Sequence, residues 1–141
     1  MKVFLFTICL LVLCHSAMAS PIKGEAQLRW ERMNQIRQDK FDLVLPEVMR
    51  ENGVDMWITV NREGLEDPLT EDFGRGYVTD WGYYIFTDRG GDRIERAALG
   101  VGTYLVEENG AYDIYSMEFD LAEFVAERDP KTIALNFAEH I

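Results

Sequence analysis

Trp81-Gly82-Tyr83-Tyr84-Ile85-Phe86-Thr87, followed after Asp88-Arg89-Gly90-Gly91-Asp92 by Ile94-Glu95-Arg96-Ala97-Ala98-Leu99, is the stretch on which the fold class turns. Trp81, Tyr83 and Ile85 alternate with Tyr84 and Phe86, and alternation with aromatic and β-branched side chains is the signature of a strand. The glycine-containing turn and the apolar return from Ile94 to Leu99 make the whole a β-hairpin.

Upstream, Val54 to Val60 reads as another strand, with Met56, Ile58 and Val60 on one face and Trp57 and Thr59 on the other. Apolar residues on both faces place it in the middle of a sheet, covered on both sides. Before it, Gln27 to Asn52 reads as a helix. Met33, Ile36, Phe41, Val44, Leu45 and Val48 form its apolar stripe, while Arg29, Arg32, Arg37, Lys40 and Arg50 fall mostly elsewhere. Pro46 removes a backbone donor and clashes with the preceding turn, so the helix is expected to kink or restart there. Gly53 is a natural left-handed stop.

Between the first strand and the hairpin, Asn61 to Asp80 reads as a long connection carrying Gly64, Pro68, Gly74 and Gly76 and the acids Glu63, Glu66, Asp67, Glu71 and Asp72. Connections this long are uncommon in a small domain unless they have work to do. Downstream, Gly100 to Ser116 reads as irregular, with an Asn109-Gly110 turn and short extended pieces around Tyr104 and Ile114. Asp120 with Glu123 resembles a capping box, opening a short helix through Leu121, Phe124 and Val125 that ends near Arg128. Asp129-Pro130 breaks it, and Thr132 to Phe137 closes the chain as a strand. The order implies an α/β fold, a mixed β-sheet flanked by helices, with the last strand parallel to a neighbour.

The chain has 141 residues and a formal net charge of −11. Residues 1–19 read as a signal peptide: Met1-Lys2 is basic, Val3 to Leu13 is apolar save Thr7, and Ala17-Met18-Ala19 offers small residues for cleavage between Ala19 and Ser20. The apolar run falls short of the roughly 20 residues needed to span a bilayer. Cys14 follows that run, but Leu13 stands where a lipoprotein signal needs a small residue. Residues 20–141 then form one domain, secreted or periplasmic. Cys9 and Cys14 both leave with the signal, so packing alone must hold the domain. The acidity disfavours nucleic acid and anionic membrane as partners.

The exported part carries one histidine, His140, and no cysteine. It offers no Ser-His-Asp set, no phosphate-binding glycine loop and no His-rich metal motif, so neither catalytic nor metal-binding residues are expected in it. Glu66 with Asp67, or Glu71 with Asp72, could hold a hard cation or serve a small carboxylate hydrolase, although an acidic loop is more often solvated surface. Trp57, Trp81, Tyr83, Tyr84 and Phe86 are read as packing residues before a binding face. Arg62 and Glu63, at the end of the first strand, stand where α/β folds often carry function.

Several segments resemble, in order and spacing, the N-terminal domain of the Xaa-Pro aminopeptidase, prolidase and creatinase family. They are Lys40 to Arg50 (KFDLVLPEVMR), Asn52-Gly53-Val54-Asp55, Met56-Trp57-Ile58-Thr59-Val60, Asn61-Arg62-Glu63 with Glu66-Asp67-Pro68, Leu121 to Lys131 (LAEFVAERDPK) and Ile133-Ala134-Leu135-Asn136-Phe137. The resemblance implies a creatinase/prolidase-type N-terminal domain with a ribonuclease H-like motif, which helps assemble the oligomer and shapes access to an active site. In that family a separate pita-bread domain holds two divalent metal ions through two Asp, one His and two Glu. None of those ligands is assigned to this chain, and that domain is expected to be absent from it. The resemblance implies as partners the chain's own catalytic domain or further copies of itself, and a peptide substrate reached through that domain. It gives Arg62, with Glu63 and Asp67 behind it, a role in substrate access or at an interface. The alternative is a free-standing exported module that binds peptide or protein.

Overall fold

The hairpin forms where the alternation puts it. The computed structural model, which describes residues 24–64, 67–102 and 104–136, has β2 at Trp81–Thr87 and β3 at Glu95–Leu99, antiparallel with Tyr83 opposite Leu99 and Thr87 opposite Glu95. Its turn is held from outside. The Arg50 guanidinium donates to both carboxylate oxygens of Asp88 (2.7 and 3.1 Å) and to the Gly91 carbonyl (2.6 Å), and Asp88 in turn accepts the Gly90 N–H. That pairing holds the Asp88 carboxyl below its ordinary value.

β1, Met56–Arg62, lies antiparallel to β2 on one side and parallel to β5, Ile133–Leu135, on the other. β4, Ile114–Ser116, runs parallel to β3 at the far side, and the five-stranded mixed sheet has the order β4-β3-β2-β1-β5. The central position expected for the first strand and the parallel closing strand are both observed. Asp55 fixes the closing strand: its carboxylate accepts the N–H groups of Lys131 (2.8 Å) and Thr132 (2.9 Å). One step past β5, the Asn136 side chain takes the Val60 N–H (2.8 Å) and donates to the Val60 carbonyl (3.1 Å), imitating one more residue of ladder.

Helices cover both faces. On one side Phe41, Leu45, Met49, Phe73 and Val106 pack over Tyr84, Phe86 and Ala98. On the other, Leu121, Phe124 and Val125 of α5, Leu121–Ala126, pack against Met56, Ile58, Ile85, Ala97 and Leu99. The Asp120 side chain caps α5 by accepting the Glu123 N–H at 3.0 Å. Arg128 pins it to the sheet, with its guanidinium 3.4 Å from the centre of the Phe124 ring and 2.5 Å from Glu95.

The first helix departs from the expected stripe. It is α1, Glu25–Asp39, then a π-helical turn at Lys40–Val44, then α2, Leu45–Glu51, with Pro46 in its first turn. The restart at the proline is therefore real, and the wider turn before it shifts the phase of the surface. The buried positions are Asn34, Arg37, Phe41, Leu45, Pro46 and Met49, while Met33, Ile36, Val44 and Val48 are exposed. Arg37, which the stripe leaves outside, is inside. α2 ends as anticipated: Gly53 has φ +62°, and the Val54 N–H returns to the Met49 carbonyl at 2.9 Å.

Two irregular segments also contain helix. The 61–80 connection holds α3, Thr70–Phe73, and Tyr104, expected in an extended piece, opens α4, Tyr104–Glu108. The extended piece expected near Ile114 is β4.

Candidate functional site

The end of β1 meets the connection that follows it, and between them lies a cleft of about 280 Å³. The strand pattern dictates which side chains it receives. Along β1 the residues facing the α1–α3 side are Trp57, Thr59 and Asn61; Trp57 packs into the aromatic core, and the next two are polar. Asn61 stands opposite Gly82, over which Val78 and Val101 close in: a Cβ there would meet Val78 Cγ2 at 2.9 Å and Val101 Cγ2 at 3.0 Å. Tyr77, Val78 and Val101 supply the cleft's walls. The backbone at Gly76 runs so close to Val101 that a Cβ there would sit 1.9 Å from its Cγ1. An isolated antiparallel bridge between Tyr77 and Gly102 holds that wall in place (3.0 and 2.7 Å).

What orders the wall is a set of side chains that receive the end of α3. A four-residue helix leaves its last carbonyls without internal partners. Arg37 donates to the carbonyls of Glu71 (3.2 Å) and Asp72 (2.7 Å), Tyr112 to that of Phe73 (2.6 Å), and Tyr84 to that of Gly74. Four successive carbonyls are thus capped from α1, from β2 and from the segment before β4. Arg37 is further fixed by its bond to Asn34 Oδ1 at 2.6 Å. Burial pushes the phenols of Tyr84 and Tyr112 up, so both remain protonated donors.

Asn61 is 5% exposed. Its Oδ1 accepts the Thr70 hydroxyl at 3.1 Å, and its Nδ2 has no hydrogen-bond partner among the described residues. Buried side-chain donors are normally paired. The other buried side-chain atoms without a partner, Thr59 Oγ1, Thr87 Oγ1 and Arg96 Nε, do not line this cleft.

The residues singled out from sequence separate here. Arg62 and Glu63 both line the cleft. Arg62 closes β1 on the surface, its guanidinium 5.2 Å from the centre of the Trp81 ring. Asp67 is held elsewhere: its carboxylate accepts the Leu69 N–H (2.8 Å), which starts α3, and the Asn136 amide (2.7 Å), which ties it to the end of β5. The Glu71 and Asp72 carboxylates diverge, to Arg75 at 2.5 Å and Lys40 at 2.6 Å. No three His, Cys, Asp or Glu groups converge among the described residues. Glu66, His140, both cysteines and the Ala19-Ser20 cleavage point lie outside the described residues. Trp57, Tyr84 and Phe86 belong to the aromatic core, and Tyr83 packs edge-on against Phe119 at 5.5 Å.

Asn61 and Tyr77 were not singled out from sequence. A polar residue continuing the inward phase of Trp57 and Thr59 was the available sign of Asn61, whereas Tyr77 gave none.

No family model, no curated protein and no solved structure matches this chain.

Proposed function

We propose that the chain is the non-catalytic N-terminal domain of an exported Xaa-Pro peptidase-like metallohydrolase, serving assembly and substrate access. The observation that carries this reading is the placement of Arg62 and Glu63, at the exposed end of β1 on the mouth of a cleft. A cationic group there is suited to meet a peptide carboxylate or an acidic group of a second body. The strand order supports the finer fold: three antiparallel strands with a fourth parallel beside the first suit a ribonuclease H-like motif. The two metal ions of that family belong to its catalytic domain, and no residue of this chain is assigned to them.

The test is the reading frame beyond Ile141 and the product it encodes. Asp, Asp, His, Glu and Glu at the family's spacing, with chelator-sensitive hydrolysis of an Xaa-Pro dipeptide that falls on Arg62→Ala, would support the domain reading. A stop codon directly after Ile141 would end it.

The second reading is a free-standing exported binding module. It is favoured by a single feature: described residues of this one chain line the cleft. Cooperative melting of a monomer that binds a ligand in the cleft would select it.

A further inference from the structure

We propose that the open side of β5, with the groove beside α2, docks an extended peptide strand of alternating apolar side chains flanked by Lys or Arg. β5 is the last strand on its side of the sheet, and among the described residues it pairs with β1 alone. The parallel ladder decides which groups it leaves over. Met56 donates to the Thr132 carbonyl at 3.0 Å and stands level with Ile133. The backbone groups of Thr132 and Ala134 therefore turn toward β1, and those of Ile133 and Leu135 turn away from it. Both outward residues are exposed, at 43% and 62%. No Lys, Pro or bulge interrupts Ile133–Leu135, and these are the devices that normally close a free edge to pairing. Two outward residues are too few to hold a partner through backbone bonds alone, so side-chain contacts must add to them.

The groove supplies those contacts. Ala134 faces α2, and its small side chain leaves a space of about 220 Å³ against Val48, Val54 and Trp57. Leu45, Val48 and Trp57 also line a second space of about 290 Å³ that runs on to Val44 and Leu69, so the two form one apolar groove. Val44 and Val48 are 52% and 47% exposed, which leaves the lining open to a partner. A strand added beside β5 sends alternate side chains to opposite faces. The one opposite Ala134 enters the groove, and its neighbours lie beside Ile133 and Leu135. Charge selects the kind of strand. Lys40 and Asp72, at the far end of the groove, pair with each other at 2.6 Å. Glu47 and Glu51 follow Val44 and Val48 by three residues, are exposed, and have no ion pair among the described residues. The uncompensated charge at the rim is negative. It favours a cationic segment and disfavours a second copy of a chain with net charge −11.

Docking at β5 involves neither Arg62 nor a catalytic domain, so its failure and that of the domain reading are separate results. The test is a nuclear magnetic resonance titration of the full chain with the capped peptide Lys-Val-Leu-Val-Lys. In the more stable antiparallel alignment its leucine and both lysines face α2, and its valines pair with Ile133 and Leu135. Shifts are expected at the Ile133 and Leu135 amides and the Trp57 indole, with a dissociation constant of about 1 mM or below. Methylating the two valine nitrogens removes the peptide's donors to the edge and is expected to weaken binding about tenfold or more. Glu-Val-Leu-Val-Glu is expected to bind roughly fivefold more weakly at low salt. Val48→Lys, at an exposed position, is expected to weaken binding of the lysine peptide about tenfold. No shift at about ten times the expected constant, equal binding of the methylated or the glutamate peptide, or a folded Val48→Lys chain that binds unchanged would each overturn the assignment. Two other occupants are read in the peptide-free chain, and either would overturn it as well. Shifts of the Ile133 and Leu135 amides that grow with protein concentration would give the edge to a second copy, and Overhauser contacts from residues 137–141 to Val48 would give the groove to the chain's own end. Because the peptide comparisons use the unaltered chain, the test survives a variant that fails to fold.

Discussion

The hairpin and the connection that precedes it are neighbours in sequence, yet they are held by different means. β2 and β3 hold each other through a backbone ladder between residues at most 16 positions apart, Tyr83 opposite Leu99. The connection has little ladder of its own. Its helix is four residues long, and its order comes from side chains reaching in: Arg37 from 34 and 35 positions away, Tyr112 from 39, Tyr84 from 10. Regular structure is built from groups every residue carries, whereas an irregular segment needs particular side chains to satisfy its carbonyls. The cleft is formed against the second kind of segment, where each anchor can be removed singly.

The comparison can be broken at several points. The largest effect is expected from Phe73→Ala. Phe73 touches Phe41, Trp57, Tyr84 and Phe86 at centroid distances of 5.3 to 6.2 Å, so its loss should cost about 3–5 kcal/mol in urea unfolding. A cost below about 1 kcal/mol would mean that the connection is not part of the core. Next comes Arg37→Met, which strips two carbonyls and Asn34 of their donor and should cost about 2–3 kcal/mol. Hydrogen exchange should then accelerate at Gly74 and Tyr77 before it does along β1 and β2. Uniform acceleration would deny the two regions separate means of support.

Tyr84→Phe removes a single donor, to the Gly74 carbonyl, and should cost about 1–2 kcal/mol, read from the shift of the urea midpoint at constant slope. The smallest effect belongs to the hairpin's own turn. Asp88 sits below its ordinary value because Arg50 pairs with it. Its contribution is present above the unfolded carboxylate value and is lost as pH falls through the lower folded one. Solvent screening holds that contribution to no more than about 1 kcal/mol. Asp88→Asn should flatten this part of the acid dependence of the melting temperature by lowering the neutral value slightly while leaving the acid value nearly unchanged; an unaltered acid slope would remove the pairing from the account.

The same contrast explains what the sequence made legible. Period-two alternation at Trp81–Thr87 and Met56–Val60, the break at Pro46, the Gly53 stop and the Asp120 cap are local signals, and each has a local structural counterpart. The stripe of the first helix misled because hydrophobicity was not the property selected inward at Arg37 and Asn34, and because the π-helical turn advances the phase beyond what a fixed period can follow. α3 was hidden for a related reason. Thr70-Glu71-Asp72-Phe73 carries too little periodicity to announce a helix, and its stability lies in partners a single window never contains. At the site, Arg62 and Glu63 were reachable from their place at a strand end. Asn61 was reachable only as an inward polar residue, and what that amide lacks becomes visible only once Thr70 and Gly82 surround it.

Capping α3 from three distant places has a consequence for the order of assembly. Each anchor closes a chain loop of its own, and such closures cost entropy before any contact rewards them. The sheet can zip from its hairpin outward, but the cleft wall must wait until α1, β2 and Tyr112 are all in position. A refolding chain should therefore recover strand protection first and protection at Gly74 and Tyr77 last, passing through a form with a native sheet and no ordered cleft wall.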